Sequence, residues 1–174
     1  MLPLRDNIPS SRPPVVNYLI IATCLLVYFW QLGAKNLHVE FALNPSHLIH
    51  PDGTGEPYSF TLATILTSMF MHGGALHLLG NMLFLWIFGD NVEDRMGHLR
   101  YLVFYLICGT AAALSHALIS LFAPVPMLGA SGAIAGVLGA YFVLFRGATV
   151  RTLVILIFFV TVVEIPAVVF LGLW

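Results

Sequence analysis

Four polar residues stand in apolar stretches of this sequence, at positions that could bring their side chains together. His77 and Asn81 are four residues apart, so a helix presents both on one face, and His72 falls close to that face. Ser131 opens a later apolar stretch. Peptide hydrolysis requires a nucleophile, a base and hydrogen-bond donors for the oxyanion. A serine hydroxyl and a face of converging donors would supply two of these three.

The surroundings of Ser131 favour this chemistry without proving it. The tetrad Gly129-Ala130-Ser131-Gly132 leaves the hydroxyl uncrowded. At a helix start the backbone N–H groups have no helical partner and can receive an anion. The simpler interpretation is that Ser131 is a helix cap or a small packing residue. For His72, His77 and Asn81 it is that they only join neighbouring helices by hydrogen bonds.

Composition places these residues in a membrane protein. Of 174 residues, 59% are hydrophobic and only 9% are charged, and the mean hydropathy is +0.93. A soluble domain carries about 25% charged residues, so this chain lacks the side chains for a water-facing surface. The net charge of −1 argues against nucleic-acid binding. Cys24 and Cys108 each lie in an apolar run, which indicates inert thiols and not a disulfide.

The elements that must position the polar residues are membrane helices, each of about 20 apolar residues. Five runs qualify, and the front half of the second is expected to be a loop or interfacial turn because that run is too long for one span. A long outer loop is predicted from Gly33 to Ser59. The runs are Val15–Leu32, Phe60–Phe88, Tyr101–Phe122, Ser131–Phe145 and Thr152–Trp174.

The distribution of Lys and Arg predicts the orientation, because cytoplasmic flanks collect positive charges. The N-terminal tail and the four segments between the apolar runs contain two, one, two, none and two Lys or Arg residues, in that order. The tail, residues 1–14, is therefore expected in the cytoplasm and Trp174 outside, with a membrane domain over residues 15–174. Ser131, His72, His77 and Asn81 then all lie toward the outer leaflet.

Other features of the sequence are interpreted as structural. Gly132, Gly136 and Ala140 form a stripe of small residues that lets another helix approach. The segment Asp90–Arg95 is interpreted as a cytoplasmic loop, bracketed by helix-end signals at Gly89 and Gly97.

The remaining ionisable residues receive no catalytic role. Glu164 is expected to be neutral or to bond a polar partner, and His116 is expected to bond another helix. His38, His47 and His50 lack the spacing of metal ligands. We therefore expect neither a metal nor a cofactor.

Three motifs in order resemble the rhomboid family of intramembrane serine proteases. The run Met71–Asn81 resembles its H-x4-H-x3-N second-helix motif, Val92–Gly97 resembles its E-x-R loop, and Gly129–Gly132 resembles its G-x-S-G motif. The order, intervals and predicted topology agree from about Pro14 onward. Each motif is modest alone, but the three together are specific.

The resemblance implies an all-α, polytopic, rhomboid-like helical bundle that cleaves transmembrane substrates near the outer face. The short tails and minimal core suggest the inner membrane of a bacterium. It implies Ser131 as nucleophile, and His77 and Asn81 with the Ser131 N–H as the oxyanion hole. His72, Gly129 and Gly132 would support the cavity. Glu93 and Arg95 would be structural. The partners would be the bilayer and transmembrane proteins.

One departure concerns the base. In the family it is a histidine on the sixth helix in an A-H-x-x-G context, and none of the seven histidines here matches, so five of six core helices are expected. Three explanations are open: a fragment of a longer product, which we favour, a natural loss of the base, or another base, for which His77 is the nearest candidate. We expect the 174-residue chain itself to be poorly active or inactive.

Two other functions compete with proteolysis. An inactive rhomboid-like protein would bind transmembrane helices without cleaving them, although it would have no need of oxyanion donors. A small transporter using histidines and Glu164 as proton carriers would need paired midplane charges or an internal repeat. The sequence shows neither.

Overall fold

The computed structural model describes residues 1–34, 40–49, 57–120, 125–156 and 159–173. Helices α1, α4 and α5 are long and apolar enough to cross a membrane, and α3 and α6 are shorter apolar helices, so the predicted helical membrane bundle is confirmed. The elements in chain order are β1 (Leu2–Asp6), α1 (Val15–Gly33), α2 (Pro45–Ile49), α3 (Tyr58–Thr67, with a 3-10 turn Ser68–Phe70), α4 (Ala75–Met96), α5 (His98–Ile119), α6 (Ser131–Leu144), β2 (Thr149–Leu156), β3 (Phe159–Pro166) and α7 (Ala167–Leu173).

The outward faces of α1 and α5 are apolar. Leu26 and Phe29 on α1 are exposed, as are Ile107 and Leu118 on α5. Such a surface is unfavourable in water and favourable against lipid tails. The inward faces meet a core in which Tyr101, Tyr105 and Tyr141 are fully buried.

A buried polar cluster joins α1, α4 and α5. Helix α4 contains a π turn at Leu85–Gly89, and the Asn17 amide donates to the Leu85 carbonyl at 2.8 Å. The Tyr101 hydroxyl donates to Asn17 Oδ1 at 2.8 Å. A Cβ at Gly89 would clash with both partners. Gly89 is thus required for close approach and does not end the helix, so the prediction of a helix end there was wrong.

The segment expected to be a loop after the second span is helical. Residues Asp90–Met96 continue α4, and the chain turns only at Gly97, whose φ of 82° favours glycine. The helix end predicted at Gly97 is confirmed. The front half of that run is also helix, as α3, and not a loop.

The glycine stripe of α6 packs on α5, as the small-residue pattern predicted. A Cβ on Gly132 would lie 2.5 Å from the Cβ of Ala112, and one on Gly136 would clash with Cys108. Helix α6 begins at Ser131, where the fourth run was predicted to begin.

The fifth run is not the predicted helical span. Strands β2 (Thr149–Leu156) and β3 (Phe159–Pro166) pair as an antiparallel hairpin, with β1 on the other edge of β2, and the short α7 follows. The hairpin is rich in Val, Ile and Thr, whose branched side chains favour extended backbone. Apolarity predicted a buried or lipid-facing segment, but β-branching decided its backbone.

The predicted outer loop, Gly33 to Ser59, lies partly outside the described residues. Its described part contains α2 and an isolated bridge between Leu43 and Met127, and α3 already begins at Tyr58. The bridge ties this loop to the segment that leads into α6.

Candidate active site

The segment before α4 holds the first histidine of the site. Residues Met71 to Gly74 are not helical, and Gln31 near the end of α1 fixes them. The Gln31 amide donates to the His72 carbonyl at 3.0 Å, and the His72 N–H donates to Gln31 Oε1 at 3.1 Å. One side chain thus satisfies both backbone groups of His72.

The ring of His72 is buried, with 1% of the residue exposed. Its Nδ1 lies 3.2 Å from the Phe70 carbonyl, which can only accept, so Nδ1 carries the proton. Nε2 is then an acceptor, and it is buried with no hydrogen-bond partner. The ring meets that of His77 edge to face, at 5.2 Å between centroids.

His77 and Asn81 project from the first turns of α4 toward Gly129. A Cβ built on Gly129 would lie 2.7 Å from His77 Nε2 and 3.6 Å from Asn81 Nδ2. Asn81 is 8% exposed, and its Nδ2 is a buried donor without a partner. His77 is exposed, so the site is open to its surroundings.

Gly129 leads directly into the serine. Its φ of 117° and its contact with His77 both exclude a side chain. Its N–H donates to the Ser68 carbonyl at 2.8 Å, which fixes the turn. Ser131, half-buried, is the first residue of α6 and lies two residues on, at most about 7 Å along the chain.

The start of α6 leaves backbone donors available. The first intrahelical bond runs from the Ile134 N–H to the Ala130 carbonyl at 2.9 Å. The N–H groups of Ser131, Gly132 and Ala133 precede it and are the ordinary orphan donors of a helix start. The Asn81 amide and the His77 ring therefore face the turn at Gly129, and the Ser131 hydroxyl and the orphan N–H groups of α6 follow two residues later. Among the residues that the structure describes, no histidine hydrogen-bonds to the Ser131 hydroxyl.

Glu93 and Arg95 lie away from this site, at the opposite end of α4. The Glu93 carboxylate, 1% exposed, accepts from the Val16 N–H at 2.9 Å and the Asn17 N–H at 2.7 Å. It thereby caps α1, whose N-cap is Pro14 and has no capping side chain. His98 Nδ1 is 2.5 Å from the same carboxylate. Arg95 is exposed and lines a surface pocket.

Two further ionisable residues, His116 and Glu164, lie at separate places in the fold. His116 Nε2 bonds the Val125 carbonyl at 2.8 Å, in the connection to α6, so its bond to another helix was wrongly predicted. Glu164 lies on β3 opposite Arg151.

No metal cluster lies in the described part of the chain. Its histidines, cysteines and carboxylates form no group of three or more that could hold an ion. His47, which lies in α2, contacts Asn44 at 3.2 Å, while His38 and His50 lie outside the described residues. Cys24 and Cys108 are thiols.

Three residues that position the site were not predicted. Gln31 holds His72, Ser68 holds Gly129, and Asn17 anchors the helix that carries His77 and Asn81. Gln31 and Asn17 are amides near the ends of an apolar run, and a membrane-embedded amide is a signal that could have drawn attention to both. The Ser68 contact uses its backbone carbonyl, for which the sequence holds no signal.

Comparison with known proteins gives one family. A model of the Rhomboid domain matches residues 59–174. The chain is similar to the rhomboid protease GluP of Bacillus subtilis (strain 168), with 35% identity over 136 residues, which are 75% of this chain and 25% of that protein. It is similar to RHOMBOID-like protein 1 of Arabidopsis thaliana, with 39% identity over 112 residues, which are 63% of this chain and 26% of that protein.

A mitochondrial relative also matches. The chain is 36% identical over 97 residues to Rhomboid protein 1, mitochondrial, of Saccharomyces cerevisiae (strain ATCC 204508 / S288c), covering 53% of this chain and 28% of that protein. The chain spans about a quarter of the length of these relatives.

Proposed function

The chain belongs to the rhomboid family, and on this premise we propose that it carries the nucleophile and oxyanion site of an intramembrane serine endopeptidase. Ser131 would attack the scissile carbonyl. His77, Asn81 and the Ser131 N–H would receive the oxyanion, while Gly129 and Gly132 keep the turn uncrowded. The substrates would be transmembrane proteins, cut near the outer membrane face.

The observation that carries this proposal is the unpaired Asn81 amide. Its Nδ2 is buried and has no partner, at a site where it faces the turn that delivers Ser131. An unsatisfied buried donor costs about 1–3 kcal/mol, and a structural cross-link would have avoided that cost by pairing it. A donor kept open beside a serine is what stabilisation of a developing oxyanion requires.

His72 supports the same cavity from behind His77. Its unpaired Nε2 is an acceptor, so it would hold a water molecule or a substrate N–H in the cavity. Its edge-to-face contact with His77 limits the orientations of the His77 ring.

The described residues do not supply a general base at Ser131. No histidine of the sequence matches the A-H-x-x-G context that the family uses, and within the described ranges none hydrogen-bonds to the serine. A serine hydroxyl without a base is a weak nucleophile. We expect the 174-residue chain, assayed alone, to cleave a substrate slowly or not at all.

A reconstituted cleavage assay tests the proposal. The purified chain is placed in liposomes with a single-span helix that carries Gly and Ala near its outer end, and products are followed over time. Slow cleavage that is lost in Ser131→Ala and reduced in Asn81→Ala supports the protease, whereas Ser131-independent cleavage contradicts it. The matched control is Gly139→Ala, because a Cβ added at Gly139 has no neighbour within 4 Å.

The second candidate is a rhomboid-like protein that binds transmembrane helices without cutting them. The observation that favours it is that no described histidine hydrogen-bonds to the Ser131 hydroxyl. Energy transfer between a labelled substrate helix and the chain separates the two functions. Binding that is unchanged in Ser131→Ala, with no product at any time, identifies the binding protein.

We also propose the orientation. Residues 1–14 would lie in the cytoplasm and residues 15–174 would form the membrane domain, in the inner membrane of a bacterium. Arg5, Arg12, Arg95 and Arg100 all fall on the proposed cytoplasmic side. A cysteine-accessibility assay on Ser11→Cys, with reagent on one side only, tests this assignment.

A further inference from the structure

A pocket of about 510 Å³ opens at the end of the molecule opposite Ser131. It is bounded by the N-terminal segment, by the last turns of α4 and by Phe145, which follows α6. Arg12 and Arg95 line it from two of these segments, and Ile8 and Phe145 give it an apolar wall. No residue of the proposed active site belongs to it.

The walls of this pocket are held in place by hydrogen bonds. Ser10 Oγ donates to Asp90 at 2.7 Å, and the Ser11 N–H and hydroxyl both donate to Asp94 at 2.9 Å. These bonds fasten the N-terminal segment to α4, so Arg12 is carried to the same pocket as Arg95. The pocket is a built feature of the fold and not a gap beside a loose tail.

The residues that line the pocket carry a net positive charge, while Asp6 and Asp90 lie behind it on the lining residue Asn91. Asp94 is the acidic residue that lines it, and its carboxylate already accepts both Ser11 donors and lies near Arg12. Arg95 forms no ion pair with any part of the chain that the structure describes. Two guanidinium groups therefore face one partly neutralised carboxylate, which leaves an excess of donors suited to a phosphate.

The position of the pocket identifies the kind of phosphate. Helix α4 ends at Met96, α5 begins at His98 and α6 ends at Leu144. Three apolar helices thus turn at this level, where a bilayer places its headgroups. Arg5, Arg100, Arg146 and Arg151 lie in the same terminal segments.

We propose that this pocket binds the headgroup of an anionic phospholipid, with its phosphate between Arg12 and Arg95 and its glycerol end against Phe145. Basic pockets beside membrane helices are suited to such headgroups. The bound lipid would bridge the N-terminal segment and α4. The site would act whether or not Ser131 is a nucleophile.

Calorimetric titration of the purified chain in a non-ionic detergent tests the proposal. Short-chain phosphatidylglycerol is expected to bind saturably, and phosphatidylcholine more weakly. Arg12→Gln and Arg95→Gln should each lower the affinity about fivefold. Arg100→Gln, at the same end but outside the pocket, is the matched control and should change it little.

A variant that is expected to raise the affinity separates loss of the site from simple misfolding. Asp94→Asn removes the negative charge of the pocket while its amide oxygen still accepts from Ser11, so phosphatidylglycerol should bind more tightly. Equal binding of phosphatidylcholine, equal losses in Arg100→Gln, or weaker binding to Asp94→Asn would overturn the proposal. Glycerol 3-phosphate binding as tightly as the lipid would overturn the assignment to a membrane source.

Discussion

The imidazole of His77 lies directly against the backbone of Gly129, so that a Cβ at position 129 would be 2.7 Å from His77 Nε2. This contact connects two parts of the chain that are fifty residues apart. It aligns the His-Asn face of α4 with the turn that presents Ser131. Its dependence on glycine makes it open to experiment.

Replacement of Gly129 by alanine should disrupt this contact. The new Cβ would meet the His77 ring and would occupy a φ of 117°, at a cost of about 1–3 kcal/mol. Unfolding in mixed micelles measures the loss. Gly139→Ala, in the interior of α6 with nothing within 4 Å, should instead gain about 0.5–1 kcal/mol. Equal effects of the two changes would show that the contact does not matter.

Replacement of Gln31 by leucine should loosen the segment that carries His72. The His72 N–H and carbonyl would both lose their partner, at a cost of about 2 kcal/mol. Hydrogen exchange at the His72 amide should accelerate. Gln31→Glu keeps the acceptor for that N–H, so it should preserve more of the protection. If Gln31→Leu leaves exchange at the His72 amide unchanged, the two Gln31–His72 hydrogen bonds are not what orders this segment.

Replacement of Glu93 by alanine should destabilise the start of α1. Two N–H groups in the first turn, of Val16 and Asn17, would be left without their acceptor, at a cost of about 2 kcal/mol in the free energy of unfolding. Glu93→Gln keeps one acceptor oxygen, so its free energy of unfolding should fall between those of the wild-type chain and Glu93→Ala. Glu164→Ala, on an exposed strand, should change stability by less than about 0.5 kcal/mol. A larger loss at Glu164 than at Glu93 would contradict the capping role.

The attachment of β1 should depend on pH through Asp6. Burial raises the pKa of this carboxyl to about 6, above about 3.9 for an unfolded chain. The folded state therefore binds more protons between these values, and stability should fall as pH rises from 4 to 6 and then level off. Asn91 Nδ2 donates to Asp6 at 2.8 Å and the Tyr141 hydroxyl donates as well, while Asp90 lies nearby.

The variant Asp6→Asn tests this effect. It keeps an acceptor for these donors and removes the titration of Asp6, so its stability should depend less on pH between 4 and 6 than that of the wild-type chain; burial also raises the pKa of Asp90, which keeps part of the dependence. Proteolytic nicking of the N-terminal segment, measured across that range, gives a second readout. A wild-type chain whose stability rises over the same interval would contradict the assignment.

Periodicity and residue type predicted the helices where one signal dominated. Val15 to Leu32 is apolar along most of its length, and α1 follows it within one residue at its end. The small residues Gly132 and Gly136 predicted a close helix contact, and α5 provides it. Prediction was wrong where two signals competed. Gly89 was interpreted as a helix end although a tertiary contact uses it, and the apolar run after Thr152 hid a β-branched hairpin.

The sequence alone determined that Ser131, His77 and Asn81 are polar exceptions in a membrane chain, because their rarity and spacing do not depend on the fold. Only the tertiary structure decided that Gly129 contacts His77, that Asn81 Nδ2 stays unpaired and that Gln31 holds His72. These are relations between helices, set by packing across long sequence separations. For that reason Ser131 remains one polar residue in the sequence, and the turn that leads into it meets the open Asn81 donor only once α4 and α6 have packed together.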